Sequence, residues 1–130
     1  MLNTMKITEI SVGNYLQNTN GNIGRVIGIT EQGEVIMRYN ENSTTFSELG
    51  VLKPIDLTPE ILIRNGWVYD SIYSRKADEL GRVAEYYHFE GSIRLYWDNF
   101  CYAQSAAGMV GVHLLQNFLT LNGVGVDIKL

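Results

Sequence analysis

Between Thr8 and Pro54 the chain is a string of short β-prone runs cut by turn signals: ISVGNYLQ, then NTNGN, IGRVIGIT, EQG, EVIMRY, NENS and TTFSELGVLKPI. No run there has the length and 3.6-residue period of a long helix. Asn20-Gly21 and Gln32-Gly33 supply residues that accept positive φ, which tight connections need. Arg25, Ile27 and Ile29 alternate with Val26, Gly28 and Thr30, the period of a strand. These features predict an antiparallel meander of three to five strands, curled into a small barrel-like lobe.

The pattern changes at Thr58-Pro59-Glu60. Thr58 can cap a helix, and Pro59 fits its first position, where a missing N–H costs nothing. Glu60 suits the positive end, and Gly66 can take the left-handed stop. A helix of two turns follows, with Ile61 and Leu62 expected to seat against the first sheet. From Trp67 to Tyr102 the chain concentrates ten of its aromatic residues, in the runs WVYDSIY, RVAEYYHFE, IRLYWDN and CYAQSA. These predict a second antiparallel sheet, with turns at Glu90-Gly91-Ser92 and Asp98-Asn99. A helix over 110–121, stopped by Asn122-Gly123, completes the expectation. Val110, Leu114, Leu115, Phe118 and Leu121 would form its apolar face, and His113, Gln116, Asn117 and Thr120 a polar stripe. The fold class is therefore α+β, with a barrel-like lobe over 1–56 and an α+β lobe over 57–130 sharing one core.

With 130 residues, 45% of them hydrophobic, the chain can bury a real core. A formal charge of −4 argues against a general nucleic-acid binder, which needs a concentrated basic surface. The single cysteine, Cys101, allows no internal disulfide and fits a reducing compartment. The opening MLNTMKITEI has neither the basic start nor the apolar centre of a signal peptide, and no run approaches the roughly 20 apolar residues of a membrane span. A cytoplasmic protein without membrane attachment is expected.

Catalytic readings are weak. Cys101 would need a base, and His88 and His113 are the only histidines, with no third group to orient either. Their spacing is not that of metal ligands, so no metal or cofactor is expected. Gly21-x-x-Gly24 and Gly123-x-Gly125 lack the Lys-Ser/Thr end of a phosphate loop. Asp78-Glu79 reads as a solvated pair in a polar turn. Binding is the stronger reading. Tyr86, Tyr96 and Trp97, beside Arg75, Arg82 and Arg94, could stack a nucleobase and hold its phosphates. On the last helix His113, Gln116 and Asn117 would form one polar edge, pinning a neighbouring loop or touching a ligand.

Several short segments are shared with a known group. Val112-His113, Leu115-Gln116-Asn117 and the Leu-Asn-Gly stop resemble the C-terminal signature of small uncharacterised proteins of Bacteroidetes bacteria and their phages. Lys53-Pro54-Ile55-Asp56-Leu57-Thr58, Gly66-Trp67 and Val12-Gly13-Asn14 are similar to that group's other landmarks, in the same order. Where the group continues with Thr-Gly-Glu-Glu-Leu, this chain reads Asn-Gly-Val-Gly-Val. The resemblance implies a mobile-element or phage origin and brings no activity or catalytic residues.

Two functions then compete: capture of an anionic, nucleotide-like small molecule such as a host immune signal, and docking on a host protein as an adaptor or inhibitor through the small barrel. The tail 124–130 alternates like a strand, so pairing with its own sheet or with another copy, giving a homodimer or higher homo-oligomer, is also expected.

Overall fold

The structure, a computed structural model, describes residues 5–130. It is an α+β chain of two antiparallel sheets and two α-helices. The chain divides into two compact units, one comprising the chain up to Asp56 plus Gly111–His113, the other Leu57–Val110 plus Leu114–Leu130.

The first unit holds a four-stranded meander, β1 (Tyr15–Gln17), β2 (Ile23–Ile29), β3 (Val35–Asn40) and β4 (Ser43–Ser47), paired in chain order. Gly21 and Gly33 take φ of 82° in the connections where the sequence asked for it. The sheet stays open and does not close into a barrel. One side carries the core: Leu16, Val26, Val35 and Met37 are buried together with Ile10 and Leu52, and Met5, Tyr39 and Leu49 pack at its margin. Each such aliphatic burial is worth about 1.5–3 kcal/mol. The alternation in β2 resolves with Gly24 and Val26 inward and Ile27 and Ile29 exposed. The last expected run of this lobe is a strand only to Ser47. Leu49–Val51 then turns as a 3₁₀ helix, and Lys53 forms an isolated bridge with Gln17 on the outer side of β1.

The second unit opens with α1 (Pro59–Arg64). Thr58 Oγ1 accepts from the Ile61 N–H at 3.3 Å, and Gly66 supplies the left-handed stop. Ile61 and Leu62 are buried. A five-stranded meander follows: β5 (Val68–Tyr69), β6 (Tyr73–Ala77), β7 (Val83–Tyr87), β8 (Ser92–Trp97) and β9 (Phe100–Gln104), again in chain order. The run WVYDSIY is not one strand. Asp70 Oδ1 accepts from the Ile72 N–H at 3.1 Å and folds the run into the β5–β6 turn. Asp98 and Asn99 both take positive φ, 52° and 63°, as a two-residue hairpin between paired Trp97 and Phe100 demands.

The last helix, α2 (Val112–Leu121), begins two residues later than its periodicity predicts. Gly111 is engaged in a bridge with Asp56, and the Val112 N–H donates to the Ile55 carbonyl at 2.8 Å, so the chain is extended up to that point. The helix also buries a different face. Val112, His113, Leu115, Gln116 and Leu119 are buried, whereas Leu121, expected inside, is 85% exposed. The tail is extended but, among the described residues, joins no sheet. Val124, Val126 and Ile128 point inward, and side chains hold the backbone: Asn65 both donates to the Lys129 carbonyl (2.9 Å) and accepts from its N–H (2.7 Å).

Candidate functional site

Strand register sorts the second sheet into two faces, because paired residues point the same way and neighbours along a strand point oppositely. One row runs Val68, Arg75, Glu85, Arg94, Gln104; a second runs Tyr73, Tyr87, Ser92; a third contains Ala77, Val83 and Tyr96. All three rows lie on one face, and of these residues only Ser92 is buried. The opposite face carries Ser74, Ala84, Tyr86, Ile93 and Leu95, all buried.

The open face is thus an aromatic and cationic surface. The Arg94 guanidinium lies over the Tyr87 ring, 4.5 Å from its centroid, and the Tyr73 ring stands 5.6 Å from that of Tyr87. Hydrogen bonding to Tyr96 and the neighbouring Tyr87 raise the pKa of Arg94 above the ordinary guanidinium value, so it is charged at any physiological pH. Its Nε is buried without a hydrogen-bond partner among the described residues. The Tyr87 hydroxyl donates to Glu85 at 2.8 Å; burial first, then this carboxylate and Tyr96, push the phenol's pKa well up. Beside this cluster a groove of about 420 Å³ runs between Arg75, Glu85, Tyr96 and Asp98.

Of the residues the sequence singles out, Arg75, Arg94 and Tyr96 come together here. Tyr86 does not: it is on the buried face, and its hydroxyl donates to the Met109 carbonyl at 2.9 Å. Burial raises its pKa. Trp97 alternates to the other side from Tyr96 and lies 60% exposed beside its partner Phe100. Arg82 falls before β7, in a loop, and is spent on Asp78: Nε donates to Oδ2 at 2.7 Å and the backbone N–H to Oδ1 at 2.8 Å. Asp78 is accordingly no solvated turn carboxylate. It also accepts from the N–H groups of Leu80 and Gly125. Burial opposes its ionisation, but these hydrogen bonds outweigh burial and hold its pKa below the usual range.

The polar edge expected on α2 is divided: His113 and Gln116 are buried, whereas Asn117 borders a depression. His113 is 2% exposed, and neither ring nitrogen has a hydrogen-bond partner among the described residues; Glu9 Oε2 approaches Nε2 only to 3.9 Å. Burial lowers the imidazole pKa, which Glu9 offsets in part. Gly111 is glycine for the sake of this ring, since a Cβ there would stand 2.8 Å from His113 Cε1. Gln116 is buried, and its Nε2 donates to the Ile128 carbonyl at 3.5 Å. Asn117 is half-buried and borders a shallow apolar depression with Met109 and Phe118.

Sequence reasoning missed Tyr73, Tyr87 and Glu85 as members of the open face. The signal was present in RVAEYYHFE, whose alternation groups Val83, Glu85 and Tyr87. It also missed a Ser74–His88 contact, Oγ to Nε2 at 3.0 Å. Ser74 is fully buried, so its hydroxyl cannot meet a substrate, and His88 is wedged between the rings of Tyr69 and Tyr86 at 5.1 and 5.7 Å. Among the described residues no group of three or more His, Cys, Asp or Glu could hold a metal ion, and no helix is long and apolar enough to cross a membrane. Compared with known protein families, curated proteins and solved structures, the chain matches none.

Proposed function

We propose that the chain is a non-catalytic binding protein that captures an anionic, base-bearing small molecule of the nucleotide kind on the open face of its second sheet. The observation that supports this reading is the one solvent-facing surface shared by Tyr73, Tyr87, Tyr96, Arg75 and Arg94. A tyrosine ring offers a base a stacking partner worth about 1–3 kcal/mol. A guanidinium offers phosphate paired, charge-assisted hydrogen bonds. Arg94 is already laid against Tyr87, so less side-chain freedom is lost on binding. Glu85 and Asp98 in the same groove call for a ligand that also donates hydrogen bonds, as base amino groups and ribose hydroxyls do. The mobile-element origin implied by the sequence motifs gives such capture a use in the cytoplasm of a host cell: removing a signalling nucleotide.

Thermal melting against a panel of linear and cyclic nucleotides tests the reading. A true ligand at about 100 times its Kd adds near 2.7 kcal/mol of stability. Arg75→Glu and Arg94→Gln should abolish that shift and leave the unliganded melt in place. Arg82→Glu should do the reverse, lowering the melt by breaking the Asp78 contact. Absence of any shift across the panel overturns the proposal. It would favour docking on a host protein through the first unit, where Phe46 is 59% exposed and paired with Ile36 on the side of the sheet away from its core.

A further inference from the structure

The open face of the second sheet carries two hollows, and they meet. The groove of about 420 Å³ is bounded by Glu85, Tyr96 and Asp98; another, of about 480 Å³, is bounded by Gly66, Val68 and Ala77. Arg75 and Val83 line both. Register explains the continuity. Val68, Arg75 and Glu85 form one cross-strand row and Ala77, Val83 and Tyr96 the next, so a single trough runs between the rows from β5 to β8. Three strand spacings make it about 14 Å long. Its two ends differ in chemistry. The first holds two carboxylates, Glu85 and Asp98, and only Oε1 of Glu85 is engaged, by the Tyr87 hydroxyl. The lining of the second has no carboxylate, amide or hydroxyl side chain, and the Lys76 ammonium there already donates to the Asn65 carbonyl. Arg75 stands exposed between the two, and among the described residues no hydrogen bond or ion pair engages its guanidinium.

We infer that the ligand of this face is a dinucleoside monophosphate with guanine at one end. Its phosphodiester sits on Arg75. Its guanine lies against Tyr96 and donates to the carboxylates of Asp98 and Glu85, and its second base, of any kind, lies flat in the hollow of Val68 and Ala77. The inference rests on nucleotide capture by this face and narrows it to one class. Each hollow has the size of a site for one small molecule, so a mononucleotide fills one end of the trough and leaves the other open. Guanine is selected because its Watson–Crick edge sets two N–H donors, N1 and the 2-amino group, side by side, the spacing a carboxylate accepts; adenine and cytosine offer one amino group there. The apolar end can grip a base only by its planar faces, which every base has. A diester also fits the charge of the trough. One guanidinium neutralises its single charge, whereas a terminal phosphate brings a second negative charge towards Glu85 and Asp98.

Isothermal titration of the full chain with GpA, ApA and GMP tests this. GpA should bind about tenfold or more tightly than ApA, the discrimination a paired hydrogen bond to a base edge supplies. It should also bind more tightly than GMP, although GMP carries the greater charge. Asp98→Asn should erase the preference for GpA over ApA; asparagine tolerates the positive φ of 52° at that position, so the hairpin is kept. Ala77→Phe fills the apolar hollow from an exposed position and should bring GpA down to the level of GMP. Unliganded melting checks that both variants are folded. GpA binding no tighter than GMP, or no tighter than ApA, overturns the inference and leaves nucleotide capture standing, as does a preference that both variants retain. A melting shift with some other nucleotide while GpA is silent has the same meaning. Silence across every nucleotide overturns the inference and the capture reading together.

Discussion

Replacing His113 by leucine should stabilise the protein, although the residue is almost completely buried. The imidazole carries one N–H donor and one acceptor nitrogen, both desolvated and both without a hydrogen-bond partner among the described residues. A buried group left unsatisfied costs about 1–3 kcal/mol. Leucine removes the polar atoms at similar volume, so a net gain of about 1–3 kcal/mol is expected at neutral pH after some loss in packing. For a chain of this length that is roughly 3–4 °C in Tm per kcal/mol. The pH dependence gives an independent check. Burial depresses the folded-state pKa below the ordinary 6.5. The stability this group permits is therefore fully present above 6.5 and is lost as pH falls through the lower folded value, because the unfolded chain takes up a proton that the folded one refuses. Each pH unit in that window costs the parent up to about 1.4 kcal/mol, and the leucine variant is spared it. Urea unfolding of both proteins at pH 7.5 and 5.5 reads the two effects. A variant less stable than the parent at pH 7.5, or a gap that does not widen at pH 5.5, would mean that the ring has a partner and that the reasoning is wrong.

Two further substitutions probe what holds the second unit together. Asn65→Ala removes the two contacts that clasp the Lys129 backbone and a third to the Ile61 carbonyl, so it should lower stability by about 1–3 kcal/mol and speed hydrogen exchange and carboxypeptidase attack over 124–130. Asp78→Ala removes the acceptor shared by Arg82, Leu80 and Gly125 and should cost about 2–4 kcal/mol at pH 7. Since the Asp78 pKa is held below 3.8, that contribution is present above this value and fades only as pH drops through the lower folded one, so acid titration of the variant should lack the corresponding loss.

What was legible in the sequence was local. The turns at Gly21, Gly33 and Asp98-Asn99 depend on residues that tolerate positive φ, and α1 depends on Thr58, Pro59 and Gly66 within one short stretch. The α+β class and the two meanders follow from such signals. The buried face of α2 was not legible, because amphipathic reasoning sets His113 and Gln116 on a polar edge that pins a loop or touches a ligand, apart from the apolar face. Contacts far along the chain decide otherwise, with Ile55 taking the Val112 N–H and the Ile128 carbonyl taking the Gln116 amide. The open face was legible only in part. Arg75, Arg94 and Tyr96 were candidates from composition, but only register separates Tyr87 from Tyr86, and a slip of one residue would exchange their faces.

The first unit is discontinuous in the chain, and this bears on how it is made. Its hydrogen bond from Val112 to Ile55 and its bridge from Gly111 to Asp56 draw on residues synthesised after Leu57–Val110, the larger part of the second unit. The 57 residues from Leu57 to His113 take the ribosome roughly 3–11 s at 5–20 residues per second. Through that interval the meander of β1 to β4 stands without its closing segment, so it cannot reach its final form before Leu57–Val110, the larger part of the second unit, has been made. A fragment ending at Asp56 would be held permanently in that state, and cutting the gene at the apparent boundary should yield a less stable first unit than the whole chain contains.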